Sequence, residues 1–136
     1  WVFTLVNCTN FMDGANGLAM GSVGVGLIAL GAIGYLNGSH SAMTMAWFAA
    51  AAVIGFLVWN FPNGRIFAGD SGALFAGAVA ALVSLILIAR TGLSPFIPPI
   101  LFLPLLADAN LCPPSASTPF LTGFQINFGT FFLLNL

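Results

Sequence analysis

Two short stretches of this sequence bring together side chains that could do chemistry. The first is Asn7-Cys8-Thr9-Asn10-Phe11-Met12-Asp13-Gly14-Ala15-Asn16-Gly17-Leu18-Ala19. Three Asn and one Asp gather at the mouth of an apolar run, and ionisable groups beside hydrocarbon are costly enough to be functional by default. The plainer reading is a helix cap, with Asp13 or Asn16 bonding free N–H groups. The second stretch is Asn60-Phe61-Pro62-Asn63-Gly64-Arg65-Ile66-Phe67-Ala68-Gly69-Asp70-Ser71-Gly72-Ala73-Leu74-Phe75. It sets Asp70 at a helix entrance between glycines, with Arg65 and Phe67 nearby. A carboxylate with open surroundings suits Mg²⁺, which takes one or two protein oxygens and completes its shell with water and substrate phosphates. A cap on a decorated loop is again the plainer reading, and the conjunction of Arg, Phe, Gly and Asp weighs against it.

Other motifs fail their context. Gly69-Asp70-Ser71-Gly72 has the form of a serine-protease nucleophile segment. The single His40 lies across the membrane from Ser71 by the crossing count below, and a triad needs contact. Gly24-Val25-Gly26-Leu27-Ile28-Ala29 has the dinucleotide spacing but sits inside an apolar run, with no preceding strand and no acid about 20 residues on. Asn37-Gly38-Ser39 is a glycosylation sequon by pattern alone. Cys8 and Cys112 fit no metal spacing or disulfide framework and read as small apolar residues.

The elements that must position Asp13 and Asp70 are membrane helices. Of 136 residues 60% are hydrophobic and 4% charged (Arg65, Arg90, Asp13, Asp70 and Asp108), with no Lys or Glu. A soluble domain carries about 25% charged residues. With a mean hydropathy of +1.07 this composition excludes a soluble globule and disorder, and two Arg give no basic footprint for nucleic acid. Trp1 opens inside an apolar run with no charged segment before it, which argues against a signal peptide and for an internal piece of a longer membrane protein. Trp1 to Cys8 reads as the end of a span. Full spans are expected at Gly17 to Leu36, Met43 to Trp59 and Ala73 to Ala89, with a fourth apolar stretch at Pro95 to Ala107 interrupted by four prolines. The glycines of the first full span allow close helix packing. The reading is all-α, a polytopic transmembrane helical bundle with about four to five spans. Residues 1–111 form its core, and 112–136 a divergent or frameshifted tail.

Crossings fix the faces. Two spans separate Asp13 from Asp70, and two more separate Asp70 from Asp108, so the three acids are expected at one membrane face. His40 and Arg90 fall at the other, one Arg to each face, which leaves orientation undecided by charge.

Taken together, the two stretches resemble the polyprenyl-phosphate N-acetylhexosamine-1-phosphate transferase superfamily. Its N-x-x-N-x-x-D-G-x-[DN]-G-L-A pattern is matched by Asn7, Asn10, Asp13, Gly14, Asn16, Gly17, Leu18 and Ala19. Its F-P-x-x-R-[IV]-F-x-G-D-x-G pattern is matched by Phe61 to Gly72. Leu103-Pro104-Leu105-Leu106-Ala107-Asp108-Ala109 looks like a piece of the O-antigen-initiating branch, as does Asn16 where other members have Asp. Asn63-Gly64, Ala68 and Ala73 depart from the usual residues. An upstream Asp-Asp pair of the family is absent, and no basic, His-bearing loop follows Asp108.

The resemblance implies a bacterial multi-pass protein of the cytoplasmic membrane, with its acids facing the cytoplasm. It implies transfer of N-acetylhexosamine-1-phosphate from a UDP-sugar to polyprenyl phosphate with release of UMP, and it allows a homodimer. Asp13 and Asp70 become the catalytic candidates, with Asp70 the Mg²⁺ ligand. Asn10 and Asn16 accompany Asp13, Asn60 and Phe67 match uracil-binding positions, Arg65 meets phosphate or lipid headgroup, and Asp108 orients. With the upstream acids missing, the 136-residue piece is expected to be inactive by itself. The rivals are a transporter fragment, which predicts acids deep within helices, and an inactive remnant.

Overall fold

The computed structural model describes residues 1–13 and 17–111, and for 108–111 the backbone alone. Asn16 and the tail 112–136 lie outside the described residues. Every regular element described is a helix: α1 (Val2–Met12), α2 (Leu18–Leu36), α3 (His40–Asn60), α4 (Gly69–Thr91), α5 (Ile97–Leu101) and α6 (Leu103–Leu111). Three of them, α2, α3 and α4, are long and apolar enough to cross a membrane. In hydrocarbon a helix satisfies its own backbone polar groups. Two buried hydroxyls bond back onto their own helices. Thr9 Oγ1 donates to the Leu5 carbonyl at 2.7 Å, and Ser84 Oγ to that of Ala80 at 2.8 Å.

Helix ends follow local chemistry. At the close of α2, Gly38 takes a left-handed φ of 71°. The Gly38 N–H donates to the Tyr35 carbonyl at 3.2 Å and the Ser39 N–H to that of Gly34 at 2.8 Å. This pairing satisfies carbonyls left open by the last turn, and α3 begins at once. Gly92 ends α4 in the same left-handed region, its N–H bonded to the Ile88 carbonyl at 3.0 Å. The loop between α3 and α4 is shorter than the polar run suggests, because α4 already starts at Gly69 and holds Asp70 in its first turn.

The fourth apolar stretch is not one continuous helix. It divides at Phe102 into α5 and α6, of five and nine residues. Pro104 has no N–H to continue α5, whereas Pro98 and Pro99 are tolerated in its first turn. Phe102 is fully buried and packs beside Trp1, with ring centroids 6.1 Å apart. A Cβ on Gly26, midway along α2, would collide with the Phe102 ring. Among the described residues the polytopic bundle thus consists of three long helices, the short α1 and a fourth segment broken in two.

α2 occupies the centre and touches every other helix. Its glycines carry this packing: Gly31 lies under the Trp47 ring, and a Cβ on Gly34 would sit 3.0 Å from the Met43 backbone nitrogen. α3 lies outside, with Trp47, Phe48, Ile54, Val58 and Trp59 exposed, as suits a helix facing lipid. α1 lies antiparallel to α4, and Gly77 sets their separation. A Cβ there would stand 2.8 Å from the Cα of Val6 and 3.1 Å from the Leu5 carbonyl oxygen. These are backbone atoms, which cannot swing aside. Gly77→Ala should therefore cost about 1–3 kcal/mol through overpacking. Gly21→Ala, where a Cβ meets nothing within 4 Å, should leave stability unchanged or slightly raised. Thermal unfolding of the detergent-purified variants checks the contrast.

Candidate active site

The end of the bundle where α1 stops and α4 starts carries both described carboxylates. Asp13 is the C-cap of α1, and Asp70 is exposed in the first turn of α4, where a negative charge is favoured by the helix dipole. The α1–α4 contact brings the two together. The Asp13 carboxyl is pushed above its ordinary pKa chiefly by burial, against which the Gly69 backbone N–H acts; the Asp70 charge pushes it further up. Two carboxylates that repel each other where one helix ends and another starts form an anionic pair, the arrangement that a hard divalent cation relieves. One turn back along α1, Asn10 Oδ1 is buried with no hydrogen-bond partner among the described residues. It is a third oxygen at this end. No cluster of three or more His, Cys, Asp or Glu occurs among the described residues. The donor set is thus two carboxylates and a carboxamide, hard oxygens that fit Mg²⁺ and offer no soft ligand.

Asn60 organises the rest of the site from inside. It is 4% exposed at the end of α3. Its Oδ1 accepts from the Gly17 N–H at 2.7 Å, and its Nδ2 donates to the Ile66 carbonyl at 2.8 Å. Its own carbonyl accepts the Gly64 N–H at 2.8 Å. One carboxamide therefore ties the start of α2 to the loop ahead of α4. Gly17 must be glycine twice over, because its φ is 78° and a Cβ would lie 2.8 Å from the Phe61 ring. The loop so held presents Arg65 and Phe67 to the outside, Phe67 with 66% of its surface exposed.

The structure thus brings Asn10, Asp13, Asn60, Arg65, Phe67 and Asp70 to one end of the bundle. His40 and Arg90 lie at the other, as the crossing count requires. Asp108 falls within α6, and its side chain, like Asn16 as a whole, lies outside the described residues. Acids at a helix end and a helix start do not match the midplane placement of the transporter reading. Sequence reasoning singled out Asn60 as a contact for substrate and missed its bonds to Gly17 and Ile66. It also missed Gly77, an unremarkable glycine in an Ala-rich span. A bond between residues 43 positions apart leaves no local signal.

Two outcomes follow from this geometry. In the folded protein Asp13 holds its proton more tightly than in the unfolded chain. Its ionisation therefore opposes folding fully above the raised pKa, and this cost fades as pH falls through the window toward the ordinary Asp value of about 3.9. Asp13→Asn should raise the melting temperature near neutral pH, and the gain should shrink on acidification; a pH series of thermal melts reads it. Asn60→Leu leaves the Gly17 N–H and the Ile66 carbonyl unpaired, at about 1–3 kcal/mol each. Amide hydrogen exchange should then accelerate across residues 61–68, while the α2–α3 turn keeps its protection.

Known proteins resemble much of this chain. The chain is similar to a phospho-N-acetylmuramoyl-pentapeptide-transferase of Streptococcus thermophilus (strain CNRZ 1066), 37% identical over 87 residues, which is 64% of this chain and 26% of that protein. The corresponding protein of Streptococcus equi subsp. zooepidemicus (strain MGCS10565) is 36% identical over the same coverage. A probable undecaprenyl-phosphate N-acetylglucosaminyl 1-phosphate transferase of Bacillus subtilis (strain 168) is 33% identical over 86 residues, 63% of this chain and 24% of that protein. The chain spans about a quarter of the length of these relatives. No solved structure matches. The model of glycosyl transferase family 4 matches residues 1–88, the part of the chain that holds both motif stretches and the helices that carry them, and the chain belongs to that family.

Proposed function

We propose that this chain is part of a membrane transferase that moves N-acetylhexosamine-1-phosphate from a UDP-sugar to polyprenyl phosphate. A phosphate oxygen of the acceptor attacks the β-phosphorus of the donor, the bond to the bridging oxygen breaks, and UMP leaves. The observation that carries the reading is the meeting of Asp13 and Asp70 at one end of an apolar bundle, in a chain of this family. Asp70 would hold Mg²⁺ against the donor diphosphate, with Asp13 and Asn10 beside it. Bound there, the ion would neutralise charge developing on the phosphoryl oxygens. The exposed Phe67 ring offers a face on which uracil stacks, and Arg65 reaches toward phosphate. Asn60 acts through its bonds to Gly17 and Ile66, fixing the loop from which Phe67 projects. Asp13, with its raised proton affinity, is suited to take up a proton from the acceptor phosphate. Asp108 keeps the orienting role proposed from its motif, and Asn16 that of an accessory contact to the donor.

In this reading the protein sits in the bacterial cytoplasmic membrane with the acid end facing the cytoplasm, where UDP-sugars are made, and it can act as a homodimer. The relatives carry the names of both a muramoyl-pentapeptide and an N-acetylglucosaminyl transferase. Asn16 and the Leu103 to Asp108 piece favour the O-antigen-initiating branch, hence a simple UDP-N-acetylhexosamine as donor.

The test is made on the complete protein that carries this segment, with labelled UDP-N-acetylglucosamine and UDP-N-acetylmuramoyl-pentapeptide offered separately to polyprenyl phosphate. Asp70→Asn should lower turnover by about two orders of magnitude or more, since each 1.36 kcal/mol of lost transition-state stabilisation is tenfold in rate. Phe67→Leu should mainly raise KM for the donor. Mg²⁺ should raise the melting temperature of the unaltered protein and not that of Asp70→Asn. Near-normal turnover of Asp70→Asn with unchanged Mg²⁺ dependence would remove Asp70 as the metal ligand.

A further inference from the structure

The opposite end of the bundle holds a polar pocket that the transferase reading leaves unused. It is an open cavity of about 370 Å³ lined by Asn37, Gly38, Ser39, His40, Ser41 and Arg90. We propose that it binds a phosphate group, either the headgroup phosphate of an anionic membrane lipid or phosphate free in solution.

The first support is an unanswered hydroxyl. Ser39 is 8% exposed, and its Oγ has no hydrogen-bond partner among the described residues. It occupies the N-cap of the 21-residue α3, where a serine oxygen ordinarily accepts a helix N–H, yet it makes no such bond. The amides of residues 37–40 are taken by the Ile33, Tyr35, Gly34 and Gly38 carbonyls. The first turn of α3 therefore brings the positive end of a long helix to the pocket without a side-chain cap. An anion there would take the Ser39 hydroxyl as donor and be favoured by the helix dipole.

The second support is charge. Arg90, in the last turn of α4, is exposed and has no ion-pair partner among the described residues. A guanidinium matches two phosphate oxygens at once, and His40 adds a ring nitrogen. Asp13 and Asp70 lie at the far end of the spans, so neither competes for these donors.

The third support is depth. The pocket sits where α2 and α4 end and α3 begins. Tyr35 stacks on Trp47 nearby, with centroids 6.4 Å apart and an interplanar angle of 27°, and both rings are exposed. Tyr and Trp gather at the level of lipid headgroups, so the pocket opens where lipid phosphates reside.

The experiment uses the full chain in nanodiscs of phosphatidylcholine with a minority of phosphatidylglycerol, released into detergent and weighed intact by native mass spectrometry. Inorganic phosphate is titrated in a parallel arm. The unaltered protein should retain phosphatidylglycerol over phosphatidylcholine. Arg90→Gln should reduce that retention about tenfold, and Ser39→Ala about fivefold, the usual effects of losing a charged and a neutral hydrogen bond. Arg90→Lys, which keeps the charge, should retain most of it. Retention that inorganic phosphate cannot displace assigns the site to lipid headgroups. Phosphate binding with the same dependence on Arg90 and Ser39 assigns it to free phosphate. Equal binding of both probes by the unaltered protein, Arg90→Gln and Ser39→Ala, or binding of neither probe by the unaltered protein, overturns the proposal. The acid end is untouched by these variants, so either result leaves the transferase reading standing.

Discussion

The approach of α1 to α4 at Gly77 is the contact on which the acid end depends. With no Cβ between them, the backbone of Leu5 and Val6 lies directly on α4, and Thr9 folds its hydroxyl back onto its own helix. Association of helices in lipid rests on such close packing, because hydrocarbon supplies no hydrophobic drive between them. The two helices run in opposite directions, so their contact places the end of one beside the start of the other. Asp13 and Asp70 meet as a consequence, though 57 positions separate them in the numbering.

A site built this way has a cost that its own chemistry explains. Burial and the Asp70 charge both disfavour an ionised Asp13, and the Gly69 N–H offsets only part of that. Like charges held together in this way are a feature of sites poised for a cation, whose charge relieves the repulsion. Asn60 makes the arrangement rigid. Its carboxamide bonds two segments that the chain brings together only after a full helical hairpin, and the buried position keeps water from competing for those bonds.

The two ends of the bundle are electrostatic opposites. The described carboxylates lie at one, and Arg90 with His40 at the other. The central α2 has glycine faces that pack against α3 and Phe102 and carries no charge along its length. Such segregation follows from the solvent: a charge is tolerated at the ends of a span and penalised within it, so charge must collect at the faces.

Composition and periodicity determined much of this by themselves. The helical class, the three long spans and the pairing of faces follow from the rule that a run of about 20 apolar residues crosses and returns, and the two motif stretches announced their chemistry by residue type. Other features were decided only in three dimensions. Prolines told that the stretch from Pro95 to Ala107 would be irregular, but its division at Phe102 depends on that ring seating against Gly26 and Trp1. Asn60 reads as a contact for substrate because it matches a uracil-binding position of the family. Its bonds to Gly17 and Ile66 exist because α2 and α3 pair along their whole length and bring those ends together. The pocket under Ser39 left no trace in the sequence either, since Arg90 reaches it from a helix that begins 30 residues after it. Local chemistry is written in neighbouring residues, whereas contacts between helices depend on which glycine faces which backbone, and that is settled only when the helices pack.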